Sequence, residues 1–208
     1  MIDQNTLITY VAILLGFAFI PGPAVLLTLA RSSQSGVRVG IFTGLGIAVG
    51  DMVHTLLAVL GISAIILTSA LLFSIVKYLG AAYLVYLGIK ALFEKNDIEL
   101  SQAKAQITPK SAFHQGVLLE VLNPKSAMFF LAFLPQFVNP EQGFVAIQLI
   151  VLGLLFVLIG LLSTCVVALS AGRIGAFFRC NPILMRRQNK AVGSLYCGLG
   201  VKLALQEK

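Results

Sequence analysis

The stretch Ile20-Pro21-Gly22-Pro23 lies in the middle of an apolar run that extends from about Leu7 to Ala30. Two prolines and a glycine remove backbone donors and clash with the preceding turn, so a regular helix cannot pass through this point. In hydrocarbon, the carbonyls that lose their partners need cover from protein or from a water-filled cavity. A second break, Asn123-Pro124-Lys125, interrupts a corresponding apolar run about a hundred residues later. Broken helices at matching places in two halves of a chain point to the substrate path of a transporter. The alternative is a pair of kinks that only shape packing. The amide and the charge carried by the second break weigh against it.

Runs of this kind belong to one class of protein. The chain of 208 residues is 58% hydrophobic and 11% charged, with a mean hydropathy of +0.95. Soluble domains carry about a quarter charged residues, so this composition is that of an integral membrane protein. The net charge of +7 sits between apolar runs rather than on one amphipathic face. It reads as topology signal and contact with anionic membrane lipid, not as a nucleic-acid surface. Cys165, Cys180 and Cys197 include no Cys-x-x-Cys, which argues against a disulfide framework or a thiol relay. Met1-Ile2-Asp3-Gln4-Asn5 lacks the basic region of a cleaved signal peptide, so the first run is expected to be a retained helix. No P-loop motif is present, and His54 and His114 form no His-x-x-x-His pair. Neither an ATPase, a metal site nor another cofactor is expected.

Apolar runs of about twenty residues mark spanning helices. Six are expected, at about 5–30, 39–65, 69–92, 112–137, 143–170 and 190–206. The polar stretch 94–111 divides the chain into a first unit of about 1–93 and a second of about 112–208, within one transmembrane domain. The third run carries Gly80-Ala81-Ala82-Tyr83 and Leu87-Gly88-Ile89-Lys90; the sixth carries Gly193-Ser194-Leu195-Tyr196 and Leu199-Gly200-Val201-Lys202. Two repeats of three helices each must insert with opposite orientation, so the expected fold is all-α, with inverted repeats and broken first and fourth helices. One side of the membrane collects Arg31, Arg38, Lys90, Lys95, Lys104, Lys110, Arg173, Arg179, Arg186, Arg187 and Lys190; the other has Lys77, Lys202 and Lys208. The richer side faces the cytoplasm, which places both termini outside.

Two runs carry the chemistry. In the second, Gly36, Gly40, Gly44 and Ala48 recur every four residues along one helix face. That face serves either packing within the chain or a homo-oligomer contact. One turn on, it reaches Asp51, His54 and Thr55. Asp51 falls near the centre of its span, where an ionisable group is costly and usually functional. It either takes up and releases a proton, caps a helix break, or pairs permanently with Lys125. His54 is either a relay for that proton or a hydrogen-bonded packing residue. In the fourth run, Lys125 lies about 20 Å along the helix from Ala112, too deep to snorkel easily. It needs a carboxylate, a cluster of carbonyls or the carboxylate of a ligand. Glu120 is shallower, and its reach to the cytoplasmic interface is an even alternative to burial. Phe129, Phe130, Phe133, Pro135 and Phe137 are expected to be a structural aromatic lining.

Together these residues resemble the lysine-exporter (LysE/RhtB) family of bacterial amino-acid exporters. The likeness rests on Pro21-Gly22-Pro23, Gly50-Asp51, Tyr78-Leu79-Gly80 with Tyr83, Leu87 and Gly88, Asn123-Pro124-Lys125, and Phe129-Phe130 through Phe133-Leu134-Pro135-Gln136-Phe137. It covers essentially the whole chain. The resemblance implies a secondary transporter in the bacterial inner membrane that exports amino acids or their derivatives, driven by the proton gradient. It also implies a site made of Pro21, Gly22, Pro23, Asp51, Asn123, Pro124 and Lys125. His54 and Glu120 are further candidates from their own chemistry. Two rival classes are a passive channel for small solutes and a membrane thiol-redox carrier. The carrier needs paired intramembrane cysteines, which the positions of Cys165, Cys180 and Cys197 do not supply beside Pro21 or Pro124.

Overall fold

The computed structural model describes residues 2–18, 22–68, 70–93 and 107–173, with 190, 194, 197–198, 200–201 and 204–205. The described residues are helical and contain no strand. The elements are α1 (Gln4–Ala18), α2 (Pro23–Ser35), α3 (Val37–Thr68), α4 (Ala70–Phe93), α5 (Pro109–Val121), α6 (Pro124–Met128) and α7 (Val145–Leu169). Between α6 and α7 the chain passes through a π turn at Phe129–Phe133 and two 3₁₀ turns, Leu134–Phe137 and Pro140–Gln142.

Two apolar stretches, Val37–Gly61 and Val145–Leu169, are each 25 residues long. At about 1.5 Å per residue that exceeds a hydrocarbon core of about 30 Å. The pairs α1–α2 and α5 with Pro124–Phe137 are each long and apolar enough together, with bends of 49° and 46° at the expected breaks. That makes two clear spans and up to four with the bent pairs, and α4 covers the expected third run. Most of the sixth run and of the polar stretch 94–111 lies outside the described residues, as does Cys180. Gly200 packs on α4, where a Cβ would come within 2.8 Å of the Ala81 carbonyl.

The distribution of side chains is inverted relative to a soluble protein. Leu56, Leu60, Leu118, Leu122 and Leu162 are exposed, while Thr43, Asp51, Glu120, Asn123 and Ser126 are buried. A multi-pass membrane protein presents this pattern, since lipid covers the outer leucines and polar groups face inward.

Glycine decides how closely the helices meet. α2 ends at Gly36, whose φ of 90° suits a residue without a Cβ, and the chain turns straight into α3. A Cβ at Gly46 would overlap the carbonyl of Phe113, and one at Gly116 the carbonyl of Thr43, so α3 and α5 touch backbone to backbone. Gly40 lies against Ser32 and Ala168, and a Cβ on Gly44 would stand 2.6 Å from the Thr164 hydroxyl. The small-residue face of the second run is therefore occupied within the chain at these positions. The main core gathers Tyr10, Leu14, Phe129, Phe130, Phe133, Leu149 and Phe156 between α1, α7 and the π turn. The aromatic residues after Lys125 thus line the interior as expected. Tyr10 donates to the Leu152 carbonyl at 3.0 Å, which satisfies its buried hydroxyl.

Candidate functional site

Both breaks open onto one cavity. At the second, Asn123 has extended backbone and its Oδ1 accepts from the Lys125 amide at 3.0 Å, capping α6, while Pro124 takes the first helical position. The Asn123 side-chain nitrogen donates to the Glu120 carboxyl at 3.1 and 3.3 Å and approaches Ser126 Oγ at 3.1 Å. Ser126 Oγ also donates to Glu120 Oε1. One amide therefore ends α5, starts α6 and anchors a buried acid. At the first break, α2 starts at Gly22 and Pro23 with no side chain capping its amides. Ser163 of α7 donates to the Ala18 carbonyl at 2.8 Å, covering an acceptor at the end of α1.

The cavity offers about 70 Å³ to the centres of water-sized spheres, room for roughly five waters. One part of its wall is polar: Asp51, Glu120, Asn123, Lys125 and Ser126, with Gly22 and Pro23 of the α2 start. Another part is apolar, with Leu14, Phe17, Ile47, Phe156 and Ile159. Asp51 is 3% exposed and Glu120 2%, and their carboxyl groups lie within hydrogen-bonding reach of each other. The Lys125 ammonium sits 4.2 Å from the centre of the Phe17 ring. It would be 3.1 Å from a Cβ on Gly22, so the missing side chain there lets the charge approach the backbone of the first break. Glu120 is the carboxyl whose charge acts on Lys125. The start of α2 adds the positive end of a helix dipole to the same cavity.

The expected residues divide clearly. Gly22, Pro23, Asp51, Asn123 and Lys125 line the cavity together; Pro124 shapes the break but is exposed, and Pro21 lies outside the described residues. Glu120 does not reach toward an interface. It is buried at the centre, facing Asp51, because Gly50 admits its Cβ between α3 and α5. His54 is buried but does not line the cavity: its Nε2 donates to the Glu120 carbonyl at 2.9 Å, and its ring stacks on Phe130. That carbonyl lies at the end of α5 and also accepts from the Asn123 amide at 3.0 Å, so His54 supplies a second bond at the break. Phe17, Ser126 and Ser163 escaped the sequence reading. Ser126 follows Lys125 directly, and a hydroxyl next to a break in an apolar run is the signal that could have found it. Among the described residues no group of three His, Cys, Asp or Glu side chains is arranged to hold a metal.

Known proteins supply the wider context. The model of the LysE type translocator family matches residues 15–207. An uncharacterized membrane protein of Pseudomonas aeruginosa is 35% identical over 201 residues, covering 94% of this chain and 93% of its own. An uncharacterized membrane protein of Bacillus subtilis is 36% identical over 76% of this chain and 80% of its own. The leucine efflux protein of Salmonella typhimurium is 29% identical over 208 residues, 98% of each chain. No solved structure matches the chain at a significant level. A family match over nearly the full length, carried by relatives of the same size, places this chain in the LysE type translocator family.

Proposed function

We propose that the protein exports amino acids with apolar side chains from the cytoplasm, across the bacterial inner membrane, as a proton-coupled secondary transporter. The observation that carries this reading is the cavity itself. One wall collects a cation, two acids and a helix start, and another is aliphatic and aromatic. A zwitterion with an apolar side chain needs those two kinds of surface. Its carboxylate is placed at Lys125 and the uncapped amides of α2, where ammonium and helix dipole act together. Its side chain goes toward Leu14, Phe17, Phe156 and Ile159. The similarity to leucine efflux proteins supports both the direction of transport and the substrate class.

A cavity with space for a few waters must widen to admit an amino acid. The two bends provide the places where it does so, within one transmembrane domain of six spans built as inverted repeats. Both termini face outward in this arrangement, following the distribution of lysine and arginine. Asp51 carries the coupling proton, being the buried acid nearest the substrate. The test is flux in sealed proteoliposomes loaded with a panel of labelled amino acids. Accumulation against a concentration gradient, driven by an imposed pH gradient and greatest for leucine-like substrates, is the expected result. Equilibration without accumulation points to a passive channel instead, and no flux of any amino acid overturns the reading.

A further inference from the structure

Asp51 Oδ1 is a buried carboxyl oxygen with no hydrogen-bond partner among the described residues, on a side chain 3% exposed that lines the cavity. Leaving such an atom unmatched is costly, and a ligand that brings donors relieves it. The neighbouring acid is in the opposite condition. Glu120 receives Asn123 and Ser126, and its backbone carbonyl receives His54. Carboxyls that face each other in a low-dielectric wall share one proton rather than both ionise. Glu120 is thus fixed in place, while Asp51 has an oxygen to offer.

We propose that the Asp51–Glu120 pair is the ammonium subsite of the cavity: Asp51 Oδ1 accepts from the α-ammonium of the substrate, and the proton shared by the two carboxyls leaves as it arrives. Asp51 is the contact residue and Glu120 a positioning residue. The inference rests on the amino-acid reading given above and assigns that substrate's second charged end. The balance is simple: one proton passes from the carboxyl pair to water, and no bond of the substrate changes. The groups that face the pair are few. Tyr10 of α1 feels the Asp51 charge and keeps its hydroxyl on the Leu152 carbonyl; His54 of α3 donates to the Glu120 carbonyl; Lys125 of α6 feels the Glu120 charge. α2 and α7 contribute no ionisable side chain to the cavity wall.

Competition between ammonium and proton follows from distance. An ammonium about 3 Å from Asp51, with its own carboxylate about 2.5 Å farther off, weakens the pair's hold on its proton roughly a hundredfold at an effective dielectric near 20. Linkage is reciprocal, so the proton weakens amine binding by the same factor.

Calorimetry on the purified full chain, repeated in buffers of different ionisation enthalpy, counts the protons exchanged on binding. The ligands are L-leucine, 4-methylpentanoate, which lacks the amine, and 3-methylbutylamine, which lacks the carboxylate. Leucine and the amine are expected to release about one proton each, whereas 4-methylpentanoate binds at least tenfold more weakly than leucine and releases none. In Glu120→Gln the shared proton is gone, so leucine binds without release; Asp51→Asn loses leucine affinity at least tenfold. Leucine binding to the wild-type chain without proton release, or 4-methylpentanoate binding as tightly as leucine, overturns the subsite and leaves the transporter reading standing. Failure of all three ligands to bind the wild-type chain overturns both. The wild-type ligand series decides the matter even if a variant does not fold.

Discussion

Replacing Lys125 with methionine separates the charge from the stem that carries it. The ammonium lies over Phe17 at 4.2 Å, a contact worth about 0.5–2 kcal/mol. A thioether against the same ring recovers about 0.3–1.5 kcal/mol of that. The desolvation of the ammonium is relieved, but the carboxyl pair keeps a charge without its cation, and removing one partner of a buried pair costs about 3–5 kcal/mol. Net stability is therefore expected to fall by about 3–5 kcal/mol, a drop of about 6–20 °C in melting temperature. Substrate binding behaves differently. A hydrogen bond from an ammonium to a carboxylate contributes about 1.5–3 kcal/mol. At 1.4 kcal/mol per decade its loss lowers affinity about 10- to 150-fold. Thermal unfolding in detergent and binding of labelled leucine, measured on one preparation, give both numbers. Lys125→Arg is expected to restore binding only in part, because a planar fork does not match a place shaped for a point charge. Leucine affinity in Lys125→Met within twofold of wild type would refute the assignment and move the carboxylate to the α2 amides alone.

Asp51→Asn keeps the size of the side chain and removes its titration, so gradient-driven efflux from proteoliposomes is expected to stop while the protein still inserts; normal coupled export transfers the role to Glu120. His54→Phe keeps the stack on Phe130 and loses the bond to the Glu120 carbonyl. It is expected to cost about 0.5–1.5 kcal/mol of stability in thermal unfolding, because the carbonyl keeps the Asn123 amide, and to leave the pH profile of transport unchanged, whereas a proton relay would shift it. Gly46→Val places side-chain atoms in the Phe113 carbonyl and is expected to cost about 3 kcal/mol or more, read as loss of folded protein in size-exclusion chromatography. Cysteines at positions 104 and 208, on a background without the native ones, report topology: an impermeant reagent added to intact cells is expected to label 208 and spare 104, and the reverse pattern inverts the orientation.

What could be read from the residues alone was local. Proline and glycine impose their geometry without help from the rest of the chain, so both bends fall where Pro21-Gly22-Pro23 and Asn123-Pro124-Lys125 put them. Asp51 and Lys125 were legible because a charge inside an apolar run has few places to go except a cavity. Glu120 was left open between the interface and the interior because its depth was counted along one helix. Its surroundings depend on how closely α3 approaches α5, which Gly46, Gly50 and Gly116 decide jointly from two distant segments. The neighbours of Lys125 were beyond reach for the same reason. The Phe17 ring comes from the far side of a break whose 49° bend no periodicity specifies. The second-run glycines left packing and oligomer contact both open; Ser32, Thr164 and Ala168 fill the space beside Gly40 and Gly44, while a Cβ on Gly36 would meet nothing.

The backbone contact between α3 and α5 also constrains how the molecule can move. Helices that meet through side chains can slide when rotamers switch, but here a carbonyl occupies the place of the missing Cβ. The two helices therefore form a single rigid lever arm with Asp51 and Glu120 mounted on it at fixed separation. The second break is tied to this unit, since Asn123 and Ser126 both bond the Glu120 carboxyl, whereas the end of α1 is held at the Ala18 carbonyl by the bond from Ser163. A change of access is therefore expected at the first break, with α1 moving past a stationary acid pair.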